Sequence, residues 1–145
     1  MSYLVDTNVL LRWSQPDNLL CALAQGAVNS LLDGDEALFI TPQNLMEFWN
    51  VATRPQKVNG LGLTPAEADT KVTQLEGIFE LAPDTPAVYP AWRKLVVARN
   101  VSGVQVHDAR LVAVMQVHRL AHLLTFDTGD FQRFAEITAV HPQDV

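Results

Sequence analysis

Tyr3-Leu4-Val5-Asp6-Thr7-Asn8-Val9-Leu10-Leu11 is the stretch from which the fold can be read. Three apolar residues lead directly into a carboxylate, and a second apolar run follows. The pattern predicts a short buried strand over Tyr3–Asp6, closed by a tight turn at Thr7 and Asn8. A charge at the end of a buried strand is expensive unless it is paired or bound to a cation. Three more acids sit against apolar runs. Asp108 follows Val104-Gln105-Val106-His107, and Asp127 follows Ala121-His122-Leu123-Leu124-Thr125-Phe126. Glu47 lies early in the apolar-periodic stretch after Pro42. Strands that stop at carboxylates place them at the rim of a sheet, so the four acids predict one convergent, metal-holding pocket. The competing expectation is that each is only a cap or a surface charge.

Working outward, strand and helix patterns alternate. Leu19–Leu32 reads as a helix stopped by Asp33-Gly34-Asp35, and Ala37–Thr41 as a second buried strand. Pro42 suits the first turn of a helix reaching about Ala52, with Thr41 as its N-cap. Arg54–Leu63 carries Pro55, Asn59, Gly60 and Gly62 and reads as a loop. Thr64-Pro65-Ala66-Glu67 is a capping box that opens a helix to about Ile78. Phe79–Ala82 is a candidate third strand, followed by a turn at Pro83–Pro86 and a helix from about Thr85 to Arg99. After a break at Asn100–Gly103, Asp108–Arg119 has helical spacing. His122–Phe126 reads as a buried strand, Asp127–Asp130 as a turn, Phe131–Phe134 as one helical turn and Ile137–His141 as a last strand. Short apolar strands separated by helices imply a mainly parallel sheet covered on both faces. Ligands in such folds sit outside the carboxyl ends of the strands, where Asp6 and Asp127 fall.

With 145 residues, 48% of them hydrophobic and 18% charged, the chain is expected to form one globular domain spanning 1–145. The net charge of −6 argues against a broad electrostatic footprint for nucleic acid. It leaves room for a basic rim beside an acidic site, because a bound divalent cation reverses the local sign. Cys21 is the only cysteine and reads as a small packed residue, so neither a disulfide framework nor a thiolate zinc site is expected. The N-terminus lacks the basic flank of a signal peptide. No apolar stretch approaches the ~20 residues of a membrane span. These features predict a soluble protein of the cytoplasm.

Hard oxygen ligands without thiolates favour Mg²⁺ or Mn²⁺ over zinc. Two such ions ~4 Å apart stabilise the attacking and leaving oxygens of a phosphoryl displacement, so the cluster suits phosphodiester hydrolysis. The local wording agrees. Asp6-Thr7-Asn8-Val9-Leu10-Leu11 resembles the opening motif of PIN-domain nucleases, and Glu47 within Asn44-Leu45-Met46-Glu47-Phe48 is similar to their second acid. His107-Asp108-Ala109-Arg110-Leu111-Val112-Ala113 resembles the third-acid motif. Leu124-Thr125-Phe126-Asp127-Thr128-Gly129-Asp130-Phe131 resembles the closing one. The resemblance covers essentially the whole chain.

It implies a three-layer α/β/α sandwich and a ribonuclease whose acids, Asp6, Glu47, Asp108 and Asp127, hold Mg²⁺ or Mn²⁺. Asp130 competes with Asp127 for the fourth position. Hydrolysis is expected to leave a 5′-phosphate. Compact chains of this length are similar to VapC-type toxins, which implies an RNA substrate, a small antitoxin partner and a homodimer. An apolar helical surface around Phe48, Trp49 and Ala52 is the expected dimer contact. Asn8 is expected either to cap the next helix or to orient Asp6, and Thr125 either to contact the scissile phosphate or to end a strand.

Other readings are weaker. Asp6-Thr7-Asn8 resembles the opening of haloacid-dehalogenase-like phosphatases, but Asn8 stands where they need a second Asp. A catalytically silent RNA- or protein-binding module on the same fold has no chemical need for four unneutralised acids. His118 and His122 lack the Glu of a zinc motif, and Gly60-Leu61-Gly62 lacks the lysine of a phosphate cradle. Trp13, Trp49 and Trp92 are expected to pack rather than stack bases. Arg12, Arg54, Lys57, Arg93 and Arg99 are candidate phosphate contacts, with Arg54 and Lys57 preferred because they sit in the loop after the Glu47 helix.

Overall fold

The computed structural model describes residues 1–145 throughout. Five strands form one parallel sheet: β1 (Ser2–Val5), β2 (Ala37–Ile40), β3 (Glu80–Leu81), β4 (His122–Leu124) and β5 (Thr138–Val140). Their spatial order is β3-β2-β1-β4-β5, and every neighbouring pair is parallel. Six helices connect them: α1 (Thr7–Trp13), α2 (Cys21–Asp33), α3 (Pro42–Thr53), α4 (Pro65–Ile78), α5 (Val88–Ala98) and α6 (Val106–Val117). The architecture is the three-layer α/β/α sandwich.

Side-chain alternation shows why both faces are covered. Tyr3 and Val5 point into a core shared with α1, α2, α3 and α4, whereas Leu4 points into a core shared with α5 and α6. Leu124 and Leu123 divide between the same two cores. A strand buried on both sides reads as a continuous apolar run, which is why the alternation is invisible in Leu4-Val5 or Leu123-Leu124. The strand order reverses between β1 and β4, where Leu4 pairs with Leu123 and Val5 with Leu124. The crevice at their carboxyl ends is therefore the switch point of the sheet, the place where such folds bind ligands.

Several expected boundaries move. The apolar run after Asp6 is a helix, α1, in place of a turn leading to a later one. Its apolar residues Val9, Leu10 and Leu11 are buried on the sheet, and seven residues were too few to show periodicity. Leu19 is 97% exposed and precedes α2, so the Leu19–Leu32 helix starts two residues late. The stretch before Asp108 is a short 3₁₀ turn, Gly103–Gln105, that runs into α6. Asp108 thus lies in the first turn of a helix, with no strand before it. The candidate strand Phe79–Ala82 shrinks to two exposed residues at the sheet edge, where short strands limit unwanted pairing. The loop after α3 behaves as read: a Cβ on Gly60 would sit 1.8 Å from the Arg54 carbonyl oxygen, so only glycine fits that close approach.

The expected dimer surface is also corrected. Phe48 and Ala52 are fully buried in the larger core, and only Trp49 of that trio reaches the surface. On α3 the spacing of Phe48 and Ala52 gives one apolar stripe, and that stripe faces α1, α4 and the sheet. Truncating Phe48 to alanine should lower unfolding stability by about 3–5 kcal/mol in urea titrations. A loss below about 1 kcal/mol would show that Phe48 is not packed in the core.

Candidate active site

Asp6 continues β1 by one residue, its backbone N–H donating to Leu124 O at 2.9 Å. The same residue is the N-cap of α1: its Oδ1 accepts from Thr7 N at 2.8 Å. Its other oxygen accepts from Thr125 Oγ1 at 2.8 Å. Asp6 is thus a buried carboxylate at the seam between β1 and β4, and burial pushes its pKa from 3.8 to about 7. The bonds from Thr125 and Thr7 oppose that rise, and the charges of Glu47 and Asp108 add to it.

Asn8 does not cap α1, since Asp6 does. It lies one residue into the helix and ties the two strand ends together. Its Nδ2 donates to Thr125 Oγ1 and to Asp127 Oδ2, both at 3.1 Å, and stands 3.4 Å from Asp6 Oδ2. Its Oδ1 accepts from Phe126 N at 3.1 Å. Thr125 Oγ1 also accepts from Asp127 N at 3.1 Å. Thr125, fully buried, is therefore the hub through which the loop after β4 is held against Asp6.

Glu47 reaches the cleft from α3. Thr41 and Asn44 close a reciprocal capping box at the start of that helix. Asn44 Nδ2 donates onward to Thr7 Oγ1 at 3.2 Å, and Thr7 Oγ1 lies 3.2 Å from Glu47 Oε2, which accepts from it. Gln43, one turn before Glu47, donates to Glu47 Oε1 at 2.8 Å and to His107 O at 2.9 Å. Arg110 donates to Gln43 Oε1 at 2.9 Å and pairs with Asp84 at 3.1 Å. Sequence reading passed over Thr7, Gln43, Asn44 and Arg110 as positioning groups. The Thr41-x-x-Asn44 spacing and the Gln43–Glu47 separation of one helical turn were the available signals.

Asp108 enters from the first turn of α6. Burial raises its pKa from 3.8 to about 6. The charges of Asp130, Glu47 and Asp127 push the same way, while His107 opposes them. Asp6, Glu47, Asp108, Asp127 and Asp130 therefore meet at one end of the sheet, close enough to sense each other's charge. In this arrangement no three His, Cys, Asp or Glu side chains are spaced to chelate a common ion. Glu47, Asp127 and Asp130 are exposed, and an all-oxygen donor set suits a hard divalent cation that keeps several waters.

Arg54 and Lys57 follow the C-terminal end of α3. α3 starts beside the cleft and ends about 9 Å beyond Glu47 along its axis, and Arg54 follows that far end. Its guanidinium turns back to Asn59 O at 3.4 Å. His118, His122 and Cys21 make contacts away from the acidic cleft. His118 meets Pro83 O, His122 stacks on Tyr3, and Cys21 is buried against Trp13 O. No helix is long and apolar enough to cross a membrane.

Residues 3–137 match the model of the PIN domain, so the chain belongs to the PIN-domain family, a family of nucleases that generally use divalent metal ions. Similar solved structures include VapBC2 from Rickettsia felis bound to a promoter DNA fragment, at 13% identity and a TM-score of 0.73, covering 97% of this chain and 98% of that one. A toxin–antitoxin complex from Klebsiella pneumoniae is 19% identical with a TM-score of 0.65, over 99% of each chain. Mycobacterium tuberculosis VapC20, a toxin that cleaves the sarcin–ricin loop, is 15% identical with a TM-score of 0.57, over 83% of this chain and 86% of that one. At these identities the likeness is one of fold. No curated protein matches the chain.

The raised pKa of Asp6 has a stability consequence. A carboxyl that binds its proton more tightly folded than unfolded stabilises the fold below its unfolded pKa, and that stability is withdrawn as pH climbs through the folded value. Melting temperature of the metal-free protein should therefore fall between pH 5 and pH 8. In Asp6→Asn the fall should flatten, leaving only the smaller contribution of Asp108. Thr125→Val removes the strongest bond holding the Asp6 carboxylate ionised, so its ¹³C-detected titration should move above about 7. An unmoved midpoint would remove Thr125 from the account.

Proposed function

We propose that the chain is a Mg²⁺- or Mn²⁺-dependent endoribonuclease, the toxin of a toxin–antitoxin pair. Its main support is the meeting of Asp6, Glu47, Asp108, Asp127 and Asp130 at the switch point of the sheet, where the buried Asp6 and the half-buried Asp108 carry raised pKa values. A cluster of repelling acids is costly, and a divalent cation is what makes it tolerable. The toxin assignment and RNA as substrate draw support from family membership and from the fold shared with the Klebsiella complex and with VapC20.

Asp6, Asp108 and Asp127 would hold the ion, with Asp130 as the alternative to Asp127. When bound, the ion neutralises the cluster and supplies Lewis acidity toward the attacking water and the phosphoryl oxygens. Thr7 and Gln43 fix the Glu47 carboxylate, which completes the ion's surroundings or orients the water for in-line attack. Water adds to phosphorus as the P–O3′ bond breaks, giving a 5′-phosphate and a 3′-hydroxyl. Thr125 favours the ionised, liganding form of Asp6 against the effect of burial, and Asn8 ties Asp127 to Asp6. The proposal includes a homodimer, with Leu45, Met46 and Trp49 as available apolar surface in place of Phe48 and Ala52, and action in the cytoplasm beside an antitoxin.

Asp6→Asn and Asp108→Asn should each lower Mg²⁺-dependent cleavage of a mixed RNA pool by at least about 100-fold, with the circular dichroism spectrum retained. Full activity in either variant would contradict the assignment. Mn²⁺ at 100 times its Kd should add ~2.7 kcal/mol to the unfolding free energy at pH 7.5. That gain should shrink towards pH 5, because the ligands must lose their protons to bind. A melting temperature indifferent to Mn²⁺ counts against a metal centre.

A further inference from the structure

Tyr89 and Trp92 stack on α5 with ring centroids 6.1 Å apart and planes 28° from parallel. Tyr89 is 63% exposed. Trp92 Nε1 donates to Val106 O at 2.8 Å, which fixes the indole against the first turn of α6, beside Asp108. With His107 and Arg110 the two rings line a cavity of ≈ 390 Å³. His107 and Arg110 also line the adjoining cleft that contains Glu47 and Asp108. On the other side, Tyr89 opens a shallow groove bounded by Arg93 and Lys94. Acids, stacked aromatics and cations therefore follow one another along a continuous surface track.

Charge says what the track suits. Arg99 pairs with Glu136 and Arg110 with Asp84, whereas Arg93 and Lys94 are exposed and make no ion pair. In a chain of net charge −6, a polyanion approaching an acidic cleft needs cations close to its point of entry. An exposed aromatic face flanked by cations is how unpaired nucleotides are gripped, one base on the ring and the neighbouring phosphates on the charges. We infer that the exposed face of α5 is a subsite for single-stranded RNA. The base of a nucleotide next to the scissile phosphate stacks on Tyr89 and Trp92, and the following phosphates lie on Arg93 and Lys94. The inference rests on the nuclease reading of the acidic cleft. It moves the phosphate contacts from Arg54 and Lys57 to α5.

The test uses the full chain and a mixed-sequence, single-stranded oligoribonucleotide. Tyr89→Ala should raise KM for Mg²⁺-dependent cleavage by about 5- to 150-fold, as expected from stacking on one base, while kcat holds. Tyr89→Phe should restore the wild-type KM. Fluorescence anisotropy of the labelled oligonucleotide on the Asp108→Asn protein should show the same loss when Tyr89→Ala is added. Replacing Arg93 and Lys94 with serine should lower the slope of log affinity against log salt by about 1.4. Wild-type melting of Tyr89→Ala shows that the fold is intact. Cleavage with unchanged KM and affinity in Tyr89→Ala overturns the subsite and leaves the nuclease reading standing. Tyr89-dependent binding by a wild-type protein that cleaves no RNA does the reverse. Loss of binding to a protein or peptide partner only, with RNA affinity intact, also overturns the subsite.

Discussion

Asp6 carries two duties that pull against each other. As the N-cap of α1 it must be ionised to accept well from Thr7, and a carboxylate at a helix start is favoured by the helix dipole. As a buried group beside Glu47 and Asp108 it is pressed to keep its proton. Burial wins, and Thr125 is the residue that opposes it most, through a 2.8 Å bond to the oxygen that Thr7 leaves free. Asn8 then locks Thr125 and Asp127 to the same helix. The rest of the cleft depends on this knot, because Asp6 joins β1 to α1 and Thr125 joins β4 to the loop that carries Asp127 and Asp130.

The sheet makes the knot possible. Since all five strands are parallel, every helix that follows a strand starts at the same edge. α1 and α3 begin directly after β1 and β2, at the rim where Asp6 and Glu47 stand. α6 brings Asp108 to that rim through its own N-terminus, although no strand precedes it. Three helix starts thus bring their positive dipole ends to the rim where the five acids stand. Each offers only a fraction of a charge. The helix ends therefore leave a surplus of negative charge, and the fold concentrates it at the point where strand order reverses.

Much of this was legible in the chain. Thr41 before Pro42 and Thr64 before Pro65 announce helix starts through chemistry local to a few residues, and both capping boxes form. Strands β1, β2 and β4 stand where apolar runs end in polar residues. Helix α1 was not legible, because the burial of Val9, Leu10 and Leu11 is decided by packing on a sheet that local pattern does not describe. Asp108 showed the opposite problem: an apolar run before an acid looks the same whether it is a strand or the approach to a helix. The acids themselves could be named from their order along the chain. The groups that aim them could not, since Gln43, Asn44 and Arg110 act across 37 to 67 residues of separation.

Those long-range bonds also explain how the cleft separates its charges. Glu47 is bound to Gln43, Gln43 to Arg110, and Arg110 to Asp84, so a neutral amide stands between the acidic centre and the first cation. Were Arg110 paired directly with Glu47, it would neutralise a carboxylate of the cleft and lose its hold, through Asp84, on the turn before α5. With Gln43 between them, Glu47 keeps its charge and Arg110 marks the border where the surface turns from acidic to aromatic and basic. An acidic chain can in this way present a cation-favouring centre and an anion-favouring approach within two helices. Gln43 is the residue that keeps them apart.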